Sequence, residues 1–350
     1  MWRITGLIQT IQSLCCCWRD NGEKPGIMDM PEIVIQQICD DLEYPEVMAL
    51  RKTCKAFRHY LLAQTDHGSL RTFTVHTNWL SFNQSTYVTY DCLDNGCRIL
   101  KSQNEKETTI NIEMKRDDVF HADLKFAIVN QPSVMERLCI TYDTRLGAEE
   151  QSNFIISLVK ECLKSRKSPL KVKKLVLAAW TPEKTIDILR YLDPKHLKSL
   201  EWENVPCNHP FSMREIVQLE QWKGLKKIKL RRRRLFRSDL KYFLDIGTAC
   251  FDWCNMGMEE LELIKQTCTT SPNFLSYEIN LYDTRILAEA IFRFGEHYVN
   301  LKIHQCWEWY FSIPGNLEDV VKMELYFTNA YMTFKRIKRT QVPRRAMVRE

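Results

Sequence analysis

Glycine is scarce, with 11 in 350 residues. The backbone therefore seldom has the freedom that phosphate-cradling loops need. Gly-x-x-x-x-Gly-Lys, a Gly-rich dinucleotide loop, Gly-x-Ser-x-Gly and His-Glu-x-x-His are all missing. The chain reads as a protein that is not an enzyme, with no catalytic residue and no cofactor. Long apolar runs are missing too: no stretch reaches the ~18 residues of a membrane-crossing helix. The segment from Ile4 to Leu14 is broken by Gln, Thr and Ser, so it lacks the core of a secretory signal. Net charge is small, 50 − 44 = +6, where a dedicated nucleic-acid binder concentrates more basic charge.

Cysteine is plentiful, 14 in all, but without pattern. Cys39, Cys54, Cys139, Cys162 and Cys268 stand singly, which fits a reducing compartment, cytoplasmic and/or nuclear, and not a disulfide framework. The sequon Asn83-Gln-Ser85 then carries little meaning. Cys250-x-x-x-Cys254 and Cys207-x-His209 have no second pair at zinc spacing, so no metal site is expected. Cys15-Cys-Cys17 reads as part of an unstructured or weakly helical leader, with palmitoylation as the alternative.

What is there is ordinary globular material, 45% hydrophobic and 27% charged, long enough for two or three cores. Residues 1–27 end in the turn-rich Asn21–Gly26 and read as a leader and linker. A small helical unit spans 28–65. Asp29 can cap a helix with Pro31 in its first turn, placing Val34, Ile35, Ile38 and Leu42 on one face. Tyr44-Pro45-Glu46 opens a second helix, in which Val47, Leu50, Cys54, Phe57 and Leu61 form a narrow apolar stripe suited to a partner. Over 66–118 the period falls to two: Phe73/Val75, Tyr87–Tyr90 and Ile110/Ile112/Met114 read as short strands, with Asp94-Asn-Gly96 as a turn.

Over 119–338 an apolar-x-x-apolar-x-apolar unit recurs. It begins at Met135, Val172, Leu197, Leu225, Met258, Tyr298 and Val320. Helical patterns fill the gaps: Phe154/Leu158/Cys162; Ile186/Leu189/Leu192 after Thr181-Pro182; Ile216/Leu219/Trp222 after the capping box Ser212-x-x-Glu215; and Ile286/Leu287/Ile291/Phe294 before Gly295. Strand then helix, repeated, predicts irregular βα units of leucine-rich-repeat type. The match is degenerate, because Trp180, Val205, Arg233 and Gln266 stand where Asn or Cys belongs. A hairpin of Met323–Phe327 and Tyr331–Ile337 is expected to close the last edge, ahead of a basic tail over 339–350. The fold class is thus α+β or α/β: a small all-helical unit, a short antiparallel β region, then the repeats.

Met30-Pro31 opening a helix closed by Leu42, then Thr53/Cys54-Lys55 with Phe57 late in a second helix, resembles an F-box. Met for Leu and Phe for Trp depart from that pattern but keep apolar bulk. From Tyr87-Val-Thr-Tyr90 and Cys97–Leu100 onward the chain resembles the FTH-type domain that accompanies F-boxes in a large nematode family, F-box A-like. The resemblance implies a substrate-recruiting adaptor of an SCF-type ubiquitin ligase, bound to a Skp-family subunit and through it to cullin and RING subunits. Met30, Pro31, Val34, Ile35, Ile38, Leu42, Pro45, Val47, Leu50, Cys54 and Phe57 would form the Skp-family surface. The alternative is an F-box scaffold or regulator outside any ubiquitin pathway, binding a protein or RNA through its basic face.

That basic face is also legible. Lys173, Lys174, Lys198, Lys226 and Lys227 recur at equivalent places in successive repeats before Glu259-Glu260 reverses the sign, and Lys229 follows. These lysines are the expected target-binding residues, with Arg231, Arg232, Arg233 and Arg234 at the margin, a run that reads as a solvated loop just past a strand, with an acidic-partner or nucleic-acid site or a nuclear localisation signal as the alternatives. Lys173, Lys198 and Lys226 should form a ladder able to steer an acidic protein target. Nucleic acid is not the expected partner.

Overall fold

The computed structural model describes residues 30–40, 42, 44, 60 and 70–349, leaving out 104–105, 143–147, 179–180, 203–211, 235–236, 254–255, 283–284, 301–305 and 327–329. The chain divides into two units, Met1–Ser69 and Leu70–Glu350.

In the first unit the Pro31 carbonyl accepts hydrogen bonds from the N–H groups of Val34 and Ile35, at 2.9 and 3.2 Å, and starts helix α1, Glu32–Asp40. Proline suits this start because its missing N–H would have no helical partner. Asp29 and the expected second-helix residues Pro45, Val47, Leu50, Cys54 and Phe57 lie outside the described residues.

The second unit opens with four hairpin-linked pairings among β1 (Thr72–Val75), β2 (Trp79–Phe82), β3 (Thr86–Leu93), β4 (Gly96–Gln103) and β5 (Lys106–Ile112). Asn83 and Gln84 take positive φ in the β2–β3 turn, and the Asn83 side chain accepts the Arg71 and Thr72 N–H groups. Gly96 opens β4 where any Cβ would collide with the Ile112 carbonyl oxygen of β5. Met114 falls beyond β5, exposed.

Helix α2 (Arg116–Val129) then leads to a run of parallel strands: β6 (Met135–Ile140), α3 (Ala148–Lys164), β7 (Val172–Leu177), α4 (Pro182–Leu189), β8 (Ser199–Trp202), the four-residue α5 (Glu220–Lys223), β9 (Lys227–Arg234), β10 (Thr248–Trp253), α6 (Met258–Thr270) and β11 (Ser276–Leu281). Each of these strands pairs in parallel with the one before it. After α7 (Arg285–Phe294) come the antiparallel β12 (Tyr298–Asn300), β13 (Cys306–Ile313), β14 (Asn316–Tyr326) and β15 (Tyr331–Lys338), with β16 (Val348–Arg349) beside β13. All sixteen strands join one sheet, in which β1 pairs with β6 and β15 pairs with β11. The described residues hold seven α-helices, none long and apolar enough to cross a membrane.

Several expectations need correction. Met258/Leu261/Leu263 begins a helix, not a strand. Glu260 reaches back to the Gly257 N–H at 2.9 Å, and the buried face is Leu261, Ile264 and Cys268. Glu259-Glu260 therefore lies in the first turn of α6 and not on a repeat strand. The Ser212 capping box does not form: Leu219 is extended and splits the segment into a short 3-10 turn and α5. Arg231–Arg234 continues β9 instead of leaving it, with Arg234 opposite Asp252 at a register shift. The expected hairpin forms as β14–β15 and covers the edge of β11, the last parallel strand, but it does not end the sheet, whose outer strands are β12 and β5.

Candidate functional site

In α1 the structure separates the expected docking residues. Ile35 and Ile38 are buried, as is Cys39; Met30 and Leu42 are half-buried; Pro31 and Val34 are exposed, beside Ile33 at 73% exposure. The helix thus shows solvent a Pro31-Ile33-Val34 corner and keeps its other apolar residues inside.

The large sheet has two chemically different faces. The repeat anchors Leu138, Leu175, Leu200, Trp202, Ile228 and Leu230 are fully buried. They lie on the helix side: Trp202 Nε1 donates to Thr185 Oγ1 of α4 at 3.0 Å. Tyr90 likewise donates to Asp123 of α2 at 3.0 Å, a helix whose Val119/Phe120/Leu124/Ala127/Ile128 stripe was there to be read in the sequence.

Strand pairing sorts the other face into rows. Arg137, Lys174, Ser199, Lys227, Thr248, Ser276, Lys335 and Lys322 are successive register partners, and no acidic residue stands among them. In the neighbouring row Glu201, Lys229, Cys250, Glu278, Thr333, Glu324 and Glu308 follow one another. Ion pairs tie the rows together. Glu201 holds Lys174 at 2.7 Å and Lys229 at 3.0 Å. Glu324 holds Lys322 and Lys335, each at 2.8 Å, and Lys322 also reaches Glu308 at 2.9 Å. Burial alone would raise the Glu324 carboxyl, but hydrogen bonds from Lys322, Lys335 and Thr333 overcome it and hold the group at about 2.

Cys306, Glu308 and Glu324 bring donor atoms within 4.8 Å of one another. The Lys322 ammonium bridges the two carboxylates, and burial pushes the Cys306 thiol up to about 11, so this cluster is a completed ion pair more than a cation's cage.

The expected lysine ladder exists in the backbone. Lys198 N–H donates to Lys173 O, and Lys226 N–H to Lys198 O, both at 2.9 Å. Gly247, one strand further on, ends the basic run, since Thr248 N–H donates to Lys226 O. The ladder is only partly free: Lys173 is bound by Glu136 at 2.6 Å, and Lys174 and Lys229 by Glu201. Among the described residues no carboxylate pairs with Lys198, Lys226 or Lys227.

The chain carries an F-box domain followed by an FTH domain, with family models matching residues 27–63 and 153–292. This is the order of an F-box protein with a C-terminal FTH domain. F-box domains generally bind Skp-family subunits, which suggests an SCF-type adaptor role in general. The FTH match runs from within α3 to within α7 and so contains the lysine ladder. No curated protein and no solved structure matches the chain.

Proposed function

We propose that this chain is a substrate-recruiting adaptor of an SCF-type ubiquitin ligase. The F-box match at 27–63 carries the reading: it lies wholly in the first unit, and the target surface is offered by the second. The first unit docks on the Skp-family subunit, the second captures a protein, and ubiquitin transfer is done by other chains. Target capture is assigned to the rim at Lys198, Lys226 and Lys227, which pair with no carboxylate among the described residues, and its chemistry favours an acidic segment. The βα units, each strand beside its predecessor, support a leucine-rich-repeat-like description of that surface.

The test is affinity purification with the proteasome blocked, comparing the intact chain with one lacking residues 29–62. The intact chain should bring down a Skp-family subunit, a cullin and a target; the deleted chain should keep the target alone. Retention of the Skp-family subunit by the deleted chain would refute the assignment.

A further inference from the structure

Cys92 and Cys97 stand apart in sequence but directly opposite one another in the β3–β4 hairpin, one pair in from the closing pair Leu93 and Gly96. A two-residue loop can close only on a hydrogen-bonded pair, so the next pair is non-hydrogen-bonded. At such pairs opposed side chains come closest, with Cα atoms ~4.5 Å apart. That is the short end of the ~4.4–6.8 Å range a disulfide spans. Both thiols are free, Cys92 exposed and Cys97 buried.

We propose that Cys92 and Cys97 are a reversible thiol–disulfide site whose substrate is a small peroxide. Exposure sets the order of events. The Cys92 sulfur, as thiolate, attacks one peroxide oxygen; the O–O bond breaks, hydroxide departs and takes up a proton, and Cys92 becomes a sulfenic acid. The Cys97 sulfur then attacks the Cys92 sulfur. The S–S bond forms, the S–O bond breaks, and the oxygen leaves as water with the Cys97 proton. Two thiols and one hydrogen peroxide give one disulfide and two waters.

The surroundings support both steps. Burial is the largest influence on the Cys97 thiol and raises it, with the Arg116 guanidinium at the start of α2 pulling the other way, so Cys97 keeps its proton for the second step. At so narrow a pair the Cβ atoms must be drawn together against the pleat, and strain of that kind makes a disulfide easier to reduce. The bond is therefore one a cellular thiol reductant can reopen.

The full-length protein, treated with hydrogen peroxide, alkylated and digested without reductant, should yield a Cys92–Cys97 linked peptide, two hydrogens lighter than its reduced form and lost on dithiothreitol treatment. Cys97→Ser should leave Cys92 as a sulfenic acid that dimedone captures. Cys92→Ser should leave Cys97 a free thiol at the same dose. Absence of the link in the native chain, a link that forms only after unfolding, or Cys92 joined to another cysteine while Cys97 stays free would each overturn the proposal; the wild-type mapping decides even if a variant fails to fold.

Discussion

Glu324 shows how single residues set the stability of the sheet's polar face. Its carboxyl is nearly buried yet lies at about 2 instead of 4.5, because Lys322, Lys335 and Thr333 all donate to it. A carboxyl depressed in this way adds stability above its unfolded value and loses it as pH falls through the folded one. Glu324→Gln should therefore cost most above pH 4.5, and the gap to wild type should narrow as pH falls from 4.5 toward 2. At ~1.4 kcal/mol per pKa unit the change across that window is on the order of 3 kcal/mol. Urea unfolding at a series of pH values checks it; a constant gap would show that the three donors do not act on an ionised Glu324. Trp202, buried and bonded to Thr185, is the matching case on the other face: Trp202→Ala should cost about 3–5 kcal/mol by the same measurement.

At the scale of elements, the repeat anchors were legible because a strand with one buried face advertises it. Met135/Leu138/Ile140 and Val172/Leu175/Leu177 fall in β6 and β7, residue for residue. The same spacing misleads at Met258, since apolar-x-x-apolar-x-apolar also fits one turn of a helix, and a glycine start with Glu260 folding back decides for the helix. β10 escapes alternation because Ala249 to Trp253 are buried on both faces. The lysines of the ladder are legible residue by residue; the neutralisation of their neighbours Lys174 and Lys229 is not, because Glu201 meets them only across neighbouring strands. The corrected helix makes a prediction. Leu261→Ala and Ile264→Ala should each cost ~2–5 kcal/mol, whereas Leu263→Ala, at 40% exposure, should stay within ~0.5 kcal/mol. Denaturant unfolding of the three variants distinguishes this from a strand, in which Leu263 would be an anchor.

At the scale of the molecule, one unit carries the F-box match and the other a continuous sheet whose charged residues are largely paired among themselves. The function proposed above leaves recognition of an acidic target to Lys198, Lys226 and Lys227, which pair with no carboxylate among the described residues. A surface ion pair is worth only ~0–1 kcal/mol, so single substitutions at Lys198, Lys226 or Lys227 should do little. The triple Lys198/Lys226/Lys227→Glu variant should slow target association while keeping the Skp-family subunit, and wild-type association should itself weaken with salt. Equal capture by parent and triple variant across a salt series would move the site elsewhere on the unit.

The adaptor account is tested most directly by replacing Pro31 and Leu50 with Ala together and quantifying co-purified Skp-family subunit and cullin against the intact chain. Both should be lost together, while circular dichroism and thermal unfolding of the sheet unit stay unchanged. Undiminished recovery of both subunits from the double variant would contradict the account.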